Sequence, residues 1–303
     1  TGPAPTASKG RTMTSEYYRE ATQRNIGLVS QEEQEKLRNA RVAVAGLGGV
    51  GGIHFLTLVR MGVGRFNIAD LDEFSIANVN RQVGANSRTA GRPKVEVMAE
   101  MAREIHPDVE IEIFDNGLQP DNADAFLGNV DAVVDSIDFF SMGPRLLLYR
   151  KARELGKPVL FSAPIGFTGT LHVFMPDGMS FEDYYDISDD MSLYDQLVAF
   201  AVGLTPAATH RAYMDMKKVD LSSGAAPSMA SACDISAGLL TTEMLVILLG
   251  RRAPLAAPRY VQFDTYRGLY KRGRLPWGNR GPLQRLKRWV IARQFKDQRS
   301  LIE

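Results

Sequence analysis

Arg41-Val-Ala-Val-Ala-Gly46-Leu-Gly48-Gly49-Val-Gly51 decides the fold of this 303-residue chain. A short apolar strand runs straight into glycines and then, from about Val50 to Met61, into a helix. Gly46 permits a tight turn. Gly48 and Gly49 let the backbone approach phosphate oxygens. The helix N-terminus that follows offers free N–H groups and a positive dipole end. Together these make a nucleotide cradle; the alternative is a close strand–helix packing turn without a ligand.

Working outward, Ser30-Gln-Glu-Glu33 spells a capping box for a helix ending near Ala40. Gly62-Val-Gly64 separates the glycine-turn helix from a second strand, Arg65 to Asp70. Pro93 at a first-turn position predicts a helix through Ile105. Strands are expected at Val109–Phe114, Asp131–Asp135 and Pro158–Phe161, with a helix at Met142–Leu155 between the last two. This alternation predicts an α/β fold: a Rossmann-like, mostly parallel sheet with right-handed crossovers, flanked by helices. Thr168–Phe174 is expected as an antiparallel edge, and Arg259–Tyr266 as a further strand in the C-terminal half. A helix is expected at Ser236–Leu249.

The domain organisation expected is a flexible lead (1–13), a catalytic domain (14–270) and a basic tail (271–303). Within the domain, 176–228 reads as an irregular substrate lid. Residues 271–299 carry ten Lys or Arg against one acid, Asp297. That tail is a candidate surface for RNA or an acidic membrane, or a helix docked on the protein or a dimer mate through Leu283, Leu286, Trp289, Val290 and Phe295.

The net charge of +1 supplies no global pull toward nucleic acid or membrane. One cysteine, Cys233, excludes intrachain disulfides and a zinc site of paired cysteines. It fits a reducing compartment, and the expected location is the cytoplasm. The apolar run Leu239–Leu249 is too short for a bilayer core of about 30 Å, and no apolar leader follows Thr1. The four histidines show no metal-ligand spacing.

The chemistry lies in the polar residues after the second strand. Asp70 stands where a carboxylate commonly holds ribose hydroxyls, which taken alone favours a nicotinamide oxidoreductase. Asn78, Arg81, Gln82 and Lys94 then exceed what a pyrophosphate needs. Two further cations and an amide cluster fit a triphosphate under attack, with Arg81 as a fork and Lys94 as a point charge. Catalysis there rests on positioning and charge stabilisation. Singly, each of these residues reads better as solvated surface; together, after a glycine turn, they read as a phosphate site. Asp138, after the fourth strand, suits magnesium, which takes one or two protein carboxylates along with phosphates and waters. Its alternative is a helix cap.

The sequence resembles the ThiF/MoeB/HesA-type adenylyltransferases of the ubiquitin-activating-enzyme superfamily. The matching stretches are Gly46-Leu-Gly48-Gly49-Val-Gly51, Arg60-Met-Gly-Val-Gly64, Asp70-Leu-Asp72, Asn78-Val-Asn80-Arg81-Gln82, Gly91-Arg-Pro-Lys94 and Asp135-Ser-Ile-Asp138. The resemblance implies ATP across the glycine turn and Asp70 and Asp72 near its ribose. It implies Asn78, Arg81, Gln82 and Lys94 on the phosphates and Asp138 on Mg²⁺. It further implies a homodimer in which an N-terminal arginine, here Arg24 or next Arg19, reaches the partner's ATP. The implied reaction is attack of a carboxylate, such as the C-terminus of a small ubiquitin-like protein or peptide, on the α-phosphate. The family's zinc-holding Cys-x-x-Cys pairs are absent. So is its usual catalytic cysteine; Cys233 is the only candidate, at the entrance to a helix where a thiol pKa can fall, but it sits late compared with the family's nucleophile and against a helix that reads as core, so packing is its expected role. The alternatives are a tRNA-modifying cyclic threonylcarbamoyladenosine dehydratase, using the basic tail to hold tRNA, an NAD(P)-dependent oxidoreductase, and a nucleotide-binding scaffold without turnover.

Overall fold

The computed structural model describes residues 10–220 and 226–302, with side chains from residue 16 onward. Two helices, α1 (Gly10–Thr22) and α2 (Gln31–Asn39), lead into β1 (Arg41–Ala45). Then come α3 (Gly51–Arg60), β2 (Arg65–Ala69), α4 (Lys94–Ile105), β3 (Glu110–Phe114), α5 (Ala123–Gly128), β4 (Ala132–Asp135), α6 (Met142–Glu154) and β5 (Val159–Phe161). The C-terminal half contributes β6 (Pro164–Ile165), β7 (Thr168–Phe174), α7 (Phe181–Tyr185), α8 (Leu193–Leu204), α9 (Ala230–Leu249), β8 (Arg259–Asp264), β9 (Leu269–Arg274), α10 (Pro282–Gln294) and α11 (Arg299–Ile302). The capping box read at Ser30 is present, with reciprocal Ser30 and Glu33 bonds at the start of α2.

The strand order is β3-β2-β1-β4-β5-β7-β8-β9, with β6 pairing beside β7. β1 pairs in parallel with β2 on one side and with β4 on the other. The order therefore reverses at β1, which opens a crevice at the carboxyl ends of the strands. Register fixes what lines it: Ala45 is level with Ala69 and with Asp135, so Gly46, Asp70 and Ser136 leave the sheet together. β7, β8 and β9 are antiparallel.

Side-chain alternation along β1 divides the core. Val42 and Val44 face α2, α3, α4 and α9, packing with Leu37, Phe55, Met98 and Leu240. Ala43 and Ala45 face α5 to α8, where Phe126, Tyr149, Phe181, Tyr185 and Phe200 fill an aromatic layer. Small side chains on the second face leave room for those rings.

Four expectations need correction. The segment 176–228 is not irregular throughout: α7 and α8 lie within it, and Phe200 on α8 is fully buried. β7 is no edge, since β8 pairs along its far side and all seven of its residues are buried. The boundary drawn at 270 cuts through β9, and α10 packs on α8, so the tail continues the domain. α9 begins at Ala230, six residues before the expected start at Ser236. By length and composition α9 passes as a membrane span, but half of its most apolar window is buried, against β7 and α3 among others. Its Glu243 is buried and paired with Arg252 at 2.6 Å. These contacts identify α9 as a core helix. α1 already begins at Gly10, and residues 1–9 of the expected flexible lead lie outside the described residues.

Candidate nucleotide site

The crevice deepens into a cavity of about 760 Å³, within the usual range for small-molecule sites. Gly46, Gly48 and Gly49 meet Asp70, Asp72, Arg81, Gln82, Lys94 and Asp138 on its walls. These residues lie up to about ninety positions apart in sequence, and the parallel register brings them together.

The glycines serve two different needs. Gly46 has φ +91°, and a Cβ there would sit 2.3 Å from the Ser136 carbonyl oxygen; a Cβ at Gly51 would sit 1.8 Å from the Gly46 carbonyl oxygen. The fold itself demands both. A Cβ at Gly48 would come no closer than 3.7 Å to Gln82, and one at Gly49 no closer than 3.5 Å to Cys233 Sγ. Packing does not demand these two, and both face the cavity. Bare backbone there suits a ligand that must approach closely, beside the free N–H groups of the first turn of α3.

Asp70 is largely buried, and both its oxygens are engaged. Oδ2 accepts the Leu47 N–H at 2.6 Å and Oδ1 the Asp72 N–H at 2.9 Å. Burial raises its carboxyl above the usual range, opposed by Lys94. Lys94, the first residue of α4, is only 5% exposed. Its ammonium lies 2.8 Å from Asp72 Oδ2 and 3.9 Å from Asp70 Oδ1. A buried amine needs such partners to remain charged. Arg81 is half-buried; Nη1 donates to the Ala77 carbonyl at 3.1 Å and to Asn80 Oδ1 at 2.9 Å. Gln82 is buried, and its Oε1 has no partner among the described residues. This orphaned acceptor, with the bare glycines, fits a site shaped for a polar guest.

Asp138 is exposed at the cavity and accepts the Phe140 N–H through Oδ1 at 2.9 Å. Among the described residues no group of three or more His, Cys, Asp or Glu is placed to hold a metal ion. One carboxylate matches magnesium brought in by a nucleotide, whose phosphates and waters complete its shell.

Three expected residues do not line the cavity. Asn78 Oδ1 accepts the Ser75 N–H, and its carbonyl accepts those of Arg81 and Gln82, so it shapes the loop that carries them. Gly51 lies behind the turn. Arg24 is exposed in a short turn whose neighbour Asn25 bonds the Met61 carbonyl, at the opposite end of α3 from the glycines.

Cys233 packs as a core residue. It lies in the first turn of α9, 1% exposed, and burial pushes its thiol up to about 11, opposed by nearby Arg81. At neutral pH it is a protonated packing residue. His54 is fully buried with Nδ1 3.2 Å from Ser136 Oγ, and burial pushes it down to about 3, so it packs neutral under the turn.

Sequence reading missed Arg145. It is fully buried on α6, with Nε 2.9 Å from the fully buried Asp135 at the end of β4. Nη2 donates to the Ile137 carbonyl and Nη1 to that of Phe139 at 3.4 Å. The pair clamps the loop that presents Asp138. Asp135 stood in a matched motif, but an ion pair between a strand end and the next helix leaves no periodic trace.

The fold and this crevice define an α/β protein with a Rossmann-like, nucleotide-binding type of fold. Residues 21–280 match the ThiF family, and the chain belongs to it. It is 36% identical over 146 residues to the sulfur carrier protein adenylyltransferase of Thermus thermophilus, covering 48% of this chain and 53% of that protein. It is 34% identical over 129 residues to the tRNA threonylcarbamoyladenosine dehydratase of Haemophilus influenzae, covering 42% and 49%. The chain thus spans about half the length of these curated relatives. The crystal structure of PaaA superposes with a TM-score of 0.64 at 17% identity, over 90% of this chain and 77% of that one, which shows a shared fold.

Proposed function

We propose that this chain is an ATP- and Mg²⁺-dependent adenylyltransferase that activates a carboxylate. The observation that carries the reading is the buried Lys94 ammonium, set in one cavity with Arg81 and with two glycines that packing does not require. Asp70 and Asp72 would hold the ribose, the glycine turn the phosphates, and Asp138 the magnesium. Magnesium bound there would neutralise phosphate charge. A carboxylate oxygen attacks the α-phosphorus, the bond to the leaving pyrophosphate breaks, and an acyl adenylate forms. Arg81 and Lys94 stabilise the negative charge that builds on the oxygens. The carboxylate proposed is the C-terminus of a small ubiquitin-like protein or a peptide. With Cys233 buried and protonated, the adenylate passes to an amine, a sulfur donor or an internal nucleophile rather than to an enzyme thiol. Arg24, exposed and away from its own cavity, is left free to serve a partner copy in a homodimer.

ATP–pyrophosphate exchange that depends on added carboxylate tests the reading. Lys94→Ala and Asp138→Ala should each lower exchange roughly a hundredfold or more with the fold intact, Asp138→Ala melting like the parent and Lys94→Ala somewhat lower because Asp70 and Asp72 lose their cation. Near-normal exchange in either variant removes the role given to that residue.

The dehydratase relative supports a second reading, in which tRNA is held by the tail. Several tail cations are already engaged within the chain: Arg280 pairs with Asp183 and Asp186, Arg288 pairs with Asp186, and Lys287 bonds the Pro206 carbonyl. ATP consumption that requires tRNA would select that reading over the first.

A further inference from the structure

The cavity extends well past the residues assigned to the nucleotide. Beyond Phe161 and Ile165 it continues into a chamber between α8 and α10, walled by Val198, Val202, Met214, Val290 and Phe295. These wall residues come from the chain after position 190, whereas the residues assigned to the nucleotide all precede position 139. The chamber's cations have partners within the chain. Lys287 Nζ is tied to the Pro206 carbonyl at 2.6 Å and to Gln284 Oε1 at 3.1 Å. Arg211 donates to Gln294 Oε1 at 3.1 Å. His210, 8% exposed, is pushed down to about 4 by burial and is neutral at physiological pH. The lining is mostly apolar, and it belongs to the same cavity as Arg81, Lys94 and Asp138. A group bonded to a carboxylate that faces those residues extends into the chamber.

We propose that this chamber receives a large apolar side chain adjoining the activated carboxylate. The substrate class is then an acid or peptide ending in a leucine- or phenylalanine-like residue, rather than one ending in glycine. This inference rests on the adenylation reading for the position of the carboxylate. Burying such a side chain favours it over hydrogen by roughly tenfold to a hundredfold in affinity.

The test is calorimetric binding of N-acetylleucine, N-acetylphenylalanine and N-acetylglycine to the full chain, with a non-hydrolysable ATP analogue and Mg²⁺ present. The two apolar acids should bind at least about tenfold tighter than N-acetylglycine. Ala201→Phe on α8 lines the same chamber and should fill it. It should weaken N-acetylleucine to the N-acetylglycine level while leaving the ATP analogue's affinity unchanged. Val290→Trp repeats the test from α10 if the first variant fails to fold. Equal affinities for the three acids, or no binding of any of them, overturns the proposal. A preference that survives both substitutions overturns the location. Pyrophosphate exchange with the same acids separates the two readings: discrimination in binding without any exchange refutes adenylation and keeps the chamber.

Discussion

Replacing Arg145 by methionine should strand a carboxylate in the core. The guanidinium and Asp135 are both fully buried, 2.9 Å apart, and the same guanidinium donates to the carbonyls of Ile137 and Phe139. Methionine keeps most of the volume and the packing against Phe200, whose ring lies 4.6 Å from the guanidinium carbon, but it supplies no charge. Breaking a buried pair from one side costs about 3–5 kcal/mol, because the remaining charge is left uncompensated. For a chain of this length, unfolding entropy of roughly 0.6 kcal/mol/K turns that into a fall of about 5–8 °C in melting temperature. Adding Asp135→Asn removes the stranded charge, keeps an oxygen to accept the Ile137 N–H, and should recover half or more of the loss. The assay is urea unfolding of the parent, both single variants and the double variant, read as a double-mutant cycle. An Arg145→Met variant within about 1 kcal/mol of the parent would refute the reasoning. So would a double variant less stable than Arg145→Met alone.

The two kinds of glycine should part company. Gly51→Ala forces backbone apart and should prevent folding or cost well over about 3 kcal/mol, whereas Gly48→Ala should melt normally yet bind ATP more weakly; thermal melts and calorimetry decide. Cys233→Ser should keep pyrophosphate exchange, and the native thiol should react with iodoacetamide only on unfolding; a dead serine variant would reverse the packing assignment. Acid should weaken the fold through its neutral histidines. His54 is held at about 3, and His172 and His210 at about 4. All three lie below the usual histidine value of about 6.5, so below that pH the unfolded chain binds protons the folded chain refuses. Their contribution is intact above about pH 6.5 and falls by about 1.4 kcal/mol per pH unit for each histidine as pH drops toward 4. Urea midpoints at pH 7 and pH 5 measure it, and His172→Gln should flatten the slope.

Local rules made the first half of the chain legible. β1 occupies the expected Arg41–Ala45, and α4 runs from Lys94 to Ile105 beside the expected Pro93. There the turn glycines, caps and apolar runs agree with the tertiary arrangement. α8 was missed because Leu193–Leu204 is buried on nearly every side, which erases helical periodicity. Its signal was the cap: Ser192 accepts the Asp195 N–H, as Ser180 does from Asp183 for α7. α9 starts early because Met229 gives no side-chain cap to mark its entrance. At the site, Asp70, Asp72, Arg81, Gln82, Lys94 and Asp138 do meet in one cavity. Asn78 differs because its side chain holds its own turn. The Arg145 clamp and the apolar chamber depend on contacts between distant elements, which no single stretch of sequence displays.

The placement of α10 has a consequence for how such a protein can diversify. The residues proposed to hold the nucleotide come from positions 46–138, while one wall of the second chamber is supplied by α10, Pro282–Gln294. On the proposed reading, changes in α10 can reshape what is accepted without disturbing the residues that would hold the triphosphate. Selectivity and chemistry are thereby free to drift at separate rates.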